Sequence, residues 1–144
     1  MKKTFLEIQE ADQIVGSLYA KDKTLEKGKF GYAWGRFIKK NYNPISEELN
    51  EKIIDNRVEH ALVDEKTKEL LYEGEGKEKS YKYSKDGMKA LLEANRKLIK
   101  EFNKKEIEVI PFYISEENLP ELLEGEREIL TGLVIEEIKE GKKK

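Results

Sequence analysis

The sequence predicts an α+β, mostly helical fold: about five helices around a helical hairpin, with a small β-hairpin and one further short strand. Three observations carry this. Phe30, Ala33, Trp34, Phe37 and Ile38 recur at the period that lines one face of a helix, inside the aromatic and basic stretch Gly28 to Tyr42. Met88, Leu91, Leu92, Asn95, Leu98, Ile99 and Phe102 form a second and cleaner stripe. Between them KELLYE, a Gly-Glu-Gly turn and SYKYS read as two short strands joined by glycines that allow positive φ.

In chain order, Thr4 to Ile8 alternates and reads as a short strand or lead-in. A first helix is expected from Glu10 to Lys21, with Ile14, Val15, Leu18 and Tyr19 inward and Gly16 weakening it. The second starts near Lys29 and is expected to break or kink at Asn43-Pro44, because proline lacks a donor and restricts the residue before it. Asn43 would then cap a third helix with Pro44 in its first position. That helix runs to about Val63 and carries two apolar stripes, Ile45/Leu49/Ile53 and Ile54/Val58/Ala61/Leu62, so neighbours are expected on two sides.

In the hairpin, Leu70 and Tyr72 share one face and Tyr81 and Tyr83 another. Ser84 caps the fourth helix, and Asn95 within its stripe calls for a side-chain amide bonded across the core. Glu106 to Ile114 alternates as a strand that Pro111 confines to an edge or bulge. An acidic loop or helical turn follows to Gly125, then a final helix from Glu126 to Ile138, with a strand over Thr131 to Ile135 as the alternative. Residues 1–138 are expected to form one helical α+β domain and 139–144 a disordered basic tail.

Composition excludes several classes of function. Charged residues make up 40% of the 144 and apolar ones 38%, enough to fold a highly charged domain. No run approaches the ~20 apolar residues of a membrane span, and MKKTFLEIQE lacks an apolar region after its lysines. The chain has no cysteine, hence no disulfide or thiolate chemistry, and a cytoplasmic location is expected. Charge is uneven: Lys21 to Tyr42 carries seven cations and two anions, and Ser115 to Ile138 eight glutamates and one arginine. Such polarity can steer partners, be satisfied within or between subunits, or belong to solvated faces.

Catalytic patterns are lacking. His60 is the sole imidazole, at helical spacing from Asn56 and Asp64, and two ligands without a second His or Cys do not complete a zinc shell. It reads as a surface or capping histidine near a helix C-terminus. No serine has an evident positioned base, and Glu73 to Lys77 lacks the spacing of a phosphate loop. Dense carboxylates could hold Mg²⁺ in a nuclease, but Glu-rich helices read first as solvated faces. The sequence is therefore expected to encode no enzyme and to need no cofactor or metal.

What remains is binding. On the Trp-bearing helix Lys29, Tyr32, Arg36 and Lys39 lie opposite the apolar stripe, and Gly31 and Gly35 share a face that admits close packing. Trp, Tyr and Arg are the residues that dominate protein-binding hot spots. The candidate partner-binding residues are Tyr32, Trp34, Arg36, Lys39, Lys40 and Tyr42, with Glu121, Glu124 and Glu126 at the acidic end. The alternative is a nucleic-acid site over residues 21–42, with aromatics stacked on bases and Lys29, Arg36, Lys39 and Lys40 on phosphates.

The order GKFGYAWGRFIKKNY, SEELNEKIIDNRVEHALVDEKTKELL, IEVIPFYI, LPELLEGE and ILTGLVIEE, over residues 9–138, resembles a family of small, functionally uncharacterised phage and prophage proteins. In that family a helical hairpin is followed by a short extended segment and an acidic stretch containing Leu-Pro. The resemblance transfers no catalytic residues. It implies a protein of the bacterial cytoplasm that binds another protein or itself stoichiometrically. Phage accessory or assembly roles fit, as does inhibition of a host defence system such as a CRISPR nuclease.

Overall fold

The computed structural model describes residues 1–137; the expected basic tail and the end of the expected final helix lie outside the described residues. Two compact units make up the chain, Met1–Ile45 with the chain from Asn103 onward, and Ser46–Phe102.

In the first unit β1 (Lys2–Thr4) leads directly into α1 (Phe5–Lys21). The helix starts five residues before the expected Glu10, because Thr4 and Glu7 form a capping box. Thr4 Oγ1 accepts the Glu7 N–H at 3.1 Å, and the Glu7 carboxylate accepts the Thr4 N–H at 2.9 Å. The same backbone bond lowers the Glu7 carboxyl below its ordinary range. The T-x-x-E signature was present in the chain, and it outweighs the short alternation that suggested a strand over Phe5 to Ile8. Phe5, Ile8, Ala11, Val15 and Leu18 are the residues α1 buries.

A 3₁₀ turn (Lys23–Lys27) connects to α2 (Lys29–Phe37), which buries Phe30, Gly31, Ala33, Trp34 and Phe37 as the stripe predicts. Gly31 is required there: a Cβ would collide with the backbone carbonyl of Glu26. Gly35 faces open space, so only one of the two glycines serves close packing.

The expected break at Pro44 does not occur. A π turn (Ile38–Tyr42) joins α2 to α3 (Asn43–His60), making one 32-residue helix. Asn43 has helical φ and ψ of −56° and −41° and donates its N–H to Ile38 O, so it is not an N-cap. A proline inside a helix removes one donor and crowds the carbonyl one turn back. The wider turn just before Pro44 already departs from the i→i−4 pattern, which lets the helix pass the proline. Asn41 lies within this turn, on the same stripe as Phe37, and is 4% exposed.

Asn41 closes the unit. Its Nδ2 donates to Phe37 O at 3.0 Å and to Ile110 O at 2.9 Å, and its Oδ1 accepts the Ile110 N–H at 2.8 Å. One amide thus satisfies both backbone groups of Ile110, next to the donor-less Pro111. The strand β4 (Glu106–Glu108) pairs antiparallel with β1, Lys3 opposite Ile107. Beyond Pro111 the chain stays extended, and Phe112 and Ile114 donate their N–H groups to Leu133 and Val134 carbonyls.

The last helix, α5, spans Glu124–Leu130 and is shorter than expected. Thr131 Oγ1 folds back onto Arg127 O at 2.7 Å, and Gly132 adopts φ +90°. Neither the longer helix nor a strand forms over 131–135. A tight turn there places Leu130, Leu133, Val134 and Ile135 in the core with α1 and α2.

In the second unit α3 and α4 (Lys85–Asn103) run antiparallel: Asn56 Nδ2 donates to Asn95 Oδ1 at 3.0 Å, and a Cβ on Gly87 would sit 3.0 Å from His60 O. Asn95 is thus bonded across to a neighbouring helix, as a polar residue in an apolar stripe requires. Ser84 Oγ accepts the Gly87 N–H at 2.9 Å and caps α4. Between the helices β2 (Tyr72–Glu73) and β3 (Ser80–Tyr81) pair antiparallel with Tyr72 opposite Tyr81, and the turn uses Gly74 at φ +83° and Gly76 at φ +60°. No helix among the described residues is long and apolar enough to cross a membrane.

Two outcomes are expected. Asn41→Leu strands the Ile110 peptide groups and should cost on the order of 3 kcal/mol in urea unfolding. The second concerns Tyr19, packed edge-on to Phe30 at 6.3 Å; burial, then Glu26 and Asp12, push its phenol up to about 12. The folded chain keeps that proton where the unfolded chain, near 10, has lost it, so stability falls as pH rises from 10 toward 12. Thermal melts of Tyr19→Phe over that range should show a shallower decline.

Candidate functional site

The predicted contact residues divide sharply by position. Trp34 is 3% exposed, its indole N–H donates to Asp12 Oδ1 at 2.8 Å, and its ring stacks on Phe37 at 4.9 Å. It is a core residue and presents nothing to a partner. Tyr42 is half-buried and stacks on Phe5 at 4.8 Å with 6° between the planes. Tyr32, in contrast, is 69% exposed, and Arg36, Lys39 and Lys40 are exposed beside it. The helical period explains this division, since these four positions lie away from the Phe30 stripe.

Tyr32 and Arg36 form one wall of a groove of about 630 Å³ whose opposite wall is the extended segment Phe112, Tyr113 and Ile114. Ala33 lies between the walls and Lys27 and Lys29 on the rim. The Arg36 guanidinium sits over the Phe112 ring at 5.0 Å and beside Tyr32 at 5.8 Å, so the cation is held by two aromatic faces. A second hollow of about 520 Å³ extends the surface from Tyr32, Arg36 and Phe112 to Lys39 and Lys40. None of these lining residues is a carboxylate, an imidazole or a serine. The groove therefore offers apolar surface and positive charge.

Phe112 and Tyr113 are site residues that the sequence reading placed in a strand and did not assign to a site. The Leu133 and Val134 carbonyls hold this segment extended, and neither pairing is visible from spacing. Asn41, which fixes Ile110 just before it, was also not singled out from the sequence, although it falls four residues after Phe37 on the apolar stripe.

The acidic candidates lie apart. Glu121 and Glu126 line a different groove, of about 480 Å³, with Leu18, Lys21 and Leu25. Glu126 is engaged locally, its carboxylate accepting the Leu123 N–H at 2.9 Å to cap α5. Glu124 is exposed, and Arg127 binds both carboxylate oxygens of Glu116 at 2.6 and 2.8 Å. The basic and acidic sets share no groove residue.

His60 closes α3, its Nδ1–H donating to Asn56 O at 2.9 Å, which assigns the tautomer. Asp64 turns away into its own loop, where the Thr67 and Lys66 N–H groups hold its carboxyl below the usual range. Among the described residues no group of three or more His, Asp or Glu could hold a metal ion.

Because Tyr32 is exposed and Trp34 is not, Tyr32→Ala should leave the urea midpoint within about 0.5 kcal/mol of the parent. Trp34→Phe, which removes the indole bond to Asp12 and leaves part of the core unfilled, should cost about 1–2 kcal/mol. Comparison with protein families, curated protein sequences and solved structures finds no match to any of them.

Proposed function

We propose that the protein acts by stoichiometric binding of another protein, without catalysing a reaction. The observation that supports this is the groove between Tyr32/Arg36 and Phe112/Ile114, apolar along its walls and cationic along its rim. Its volume is that of a pocket for a few side chains. A Tyr and an Arg fixed against a Phe have the composition of a binding hot spot. The fitting occupant is a protein segment with an aromatic or aliphatic anchor flanked by acidic residues.

The resemblance to phage and prophage proteins suggests two settings in the bacterial cytoplasm. One is an accessory or assembly role with another phage protein, the other inhibition of a host defence system such as a CRISPR nuclease.

Nucleic-acid binding is the second reading, supported by the run of Lys29, Arg36, Lys39 and Lys40 beside Tyr32. It is the weaker one, since Phe30, Trp34 and Phe37 are buried and cannot stack on bases.

Capture from nuclease-treated host and phage lysates separates the two readings. The parent protein should retain a partner in a fixed molar ratio, and Tyr32→Ala combined with Arg36→Glu should lower its affinity by at least about tenfold. A partner retained equally by both proteins would sink the groove reading. Binding to DNA or RNA that falls steeply with salt and is lost in Lys39→Glu/Lys40→Glu would replace it with the nucleic-acid reading.

A further inference from the structure

One edge of the extended segment after Pro111 is occupied, because Phe112 and Ile114 donate their N–H groups to the Leu133 and Val134 carbonyls. Successive residues of an extended chain aim their main-chain groups at opposite edges. The N–H and C=O of Tyr113 therefore point the other way, and among the described residues neither has a partner.

That second edge opens onto the Tyr32 groove. Side chains alternate between the faces of an extended chain, so a hollow lined by three consecutive residues runs along an edge. Phe112, Tyr113 and Ile114 all line the groove, whereas Leu133 and Val134 do not. The groove thus follows the Tyr113 edge, with Tyr32, Ala33 and Arg36 of α2 across from it. Pro111 on one side and the 3₁₀ turn Glu116–Asn118 on the other keep this edge short.

Charge narrows the occupant further. The lining holds three cations, Lys27, Lys29 and Arg36, and no carboxylate. Lys39 and Lys40 continue the same sign along the neighbouring hollow.

We infer that, on the binding reading above, the partner docks as an extended acidic segment added antiparallel to the Tyr113 edge. An unpaired edge is a template for another strand, whose main chain supplies affinity and whose alternate side chains supply specificity. A helix bonds its own main chain and would leave Tyr113 bare. An antiparallel strand completes both bonds through the one residue opposite Tyr113. The residues on either side of that one place apolar side chains beside Phe112 and Ile114, over Ala33. Acidic residues beyond them meet Lys27, Lys29 and Arg36.

The probe is the blocked peptide Ac-Glu-Glu-Leu-Thr-Leu-Glu-Glu-NH2, its threonine placed to face Tyr113, titrated into the full chain by calorimetry. Saturable binding is expected with a Kd below about 1 mM, weakening as salt rises. Tyr113→Pro and Tyr113→Ala both lose the phenol, but only the proline lacks the N–H. The proline variant should bind at least about tenfold more weakly than the alanine variant. Equal affinities, with matching thermal melts, would overturn the inference. A second arm leaves the protein untouched, so it decides the matter if the proline disturbs folding. N-methylation of the threonine should cost at least about tenfold more than N-methylation of the second leucine. Equal losses there would overturn the inference, as would absence of binding at about 1 mM peptide or tighter binding of an oligothymidylate of equal charge. Partner capture by the Tyr32/Arg36 double variant is read separately, so the groove reading stands or falls apart from strand pairing.

Discussion

The first unit depends on one side-chain amide. Asn41 bonds both peptide groups of Ile110 and the carbonyl of Phe37, joining the long helix to the extended segment across 69 residues of sequence. A buried amide with its bonds made is stabilising, and any of those backbone groups left bare would cost more than the bond itself is worth. Asn41 lies within the π turn, which sits immediately ahead of Pro44. π turns inside α-helices often mark functional positions. Here the turn positions the extended segment that forms one wall of the Tyr32 groove.

The same helix therefore does two things on opposite sides. Inward, Phe30, Trp34 and Phe37 fill the core with α1 and the turn after α5. Outward, Tyr32 and Arg36 face Phe112 and Tyr113, which are held extended by the backbone of that turn. A packed face and an exposed face on one helix keep the exposed side chains in place at little entropic cost. This is why the exposed aromatic and cation matter more to a binding reading than the more conspicuous tryptophan.

Among the described residues the two ends of the charge distribution meet only where Lys21 lines the groove of Glu121 and Glu126. The basic rim and the acidic residues Glu121 and Glu126 line separate grooves, and the acidic stretch uses its charge locally, in the α5 cap and the Arg127–Glu116 pair. Exposed pairs of this kind contribute little to stability.

The sequence alone determined what periodicity and local chemistry can express. It established the helical stripes over Phe30–Ile38 and Met88–Phe102, the glycine turn between Tyr72 and Tyr81, the Ser84 cap, the partner for Asn95, and the outward face holding Tyr32 and Arg36. Each depends on residues within a turn or two of one another, or on a buried polar group that must find a partner somewhere. The tertiary structure decided what depends on distant segments. The Asn41 bonds to Ile110, the Leu133 and Val134 carbonyls behind Phe112, and the collapse of 131–135 into a core turn are examples. The helix that passes Pro44 belongs with them, because local proline chemistry argues for a break and the π turn with its long-range anchor overrides it. Local propensity is worth up to about 1 kcal/mol for most residues and about 3 kcal/mol for proline, and several filled core positions together exceed either, so packing prevails at Pro44 and over 131–135.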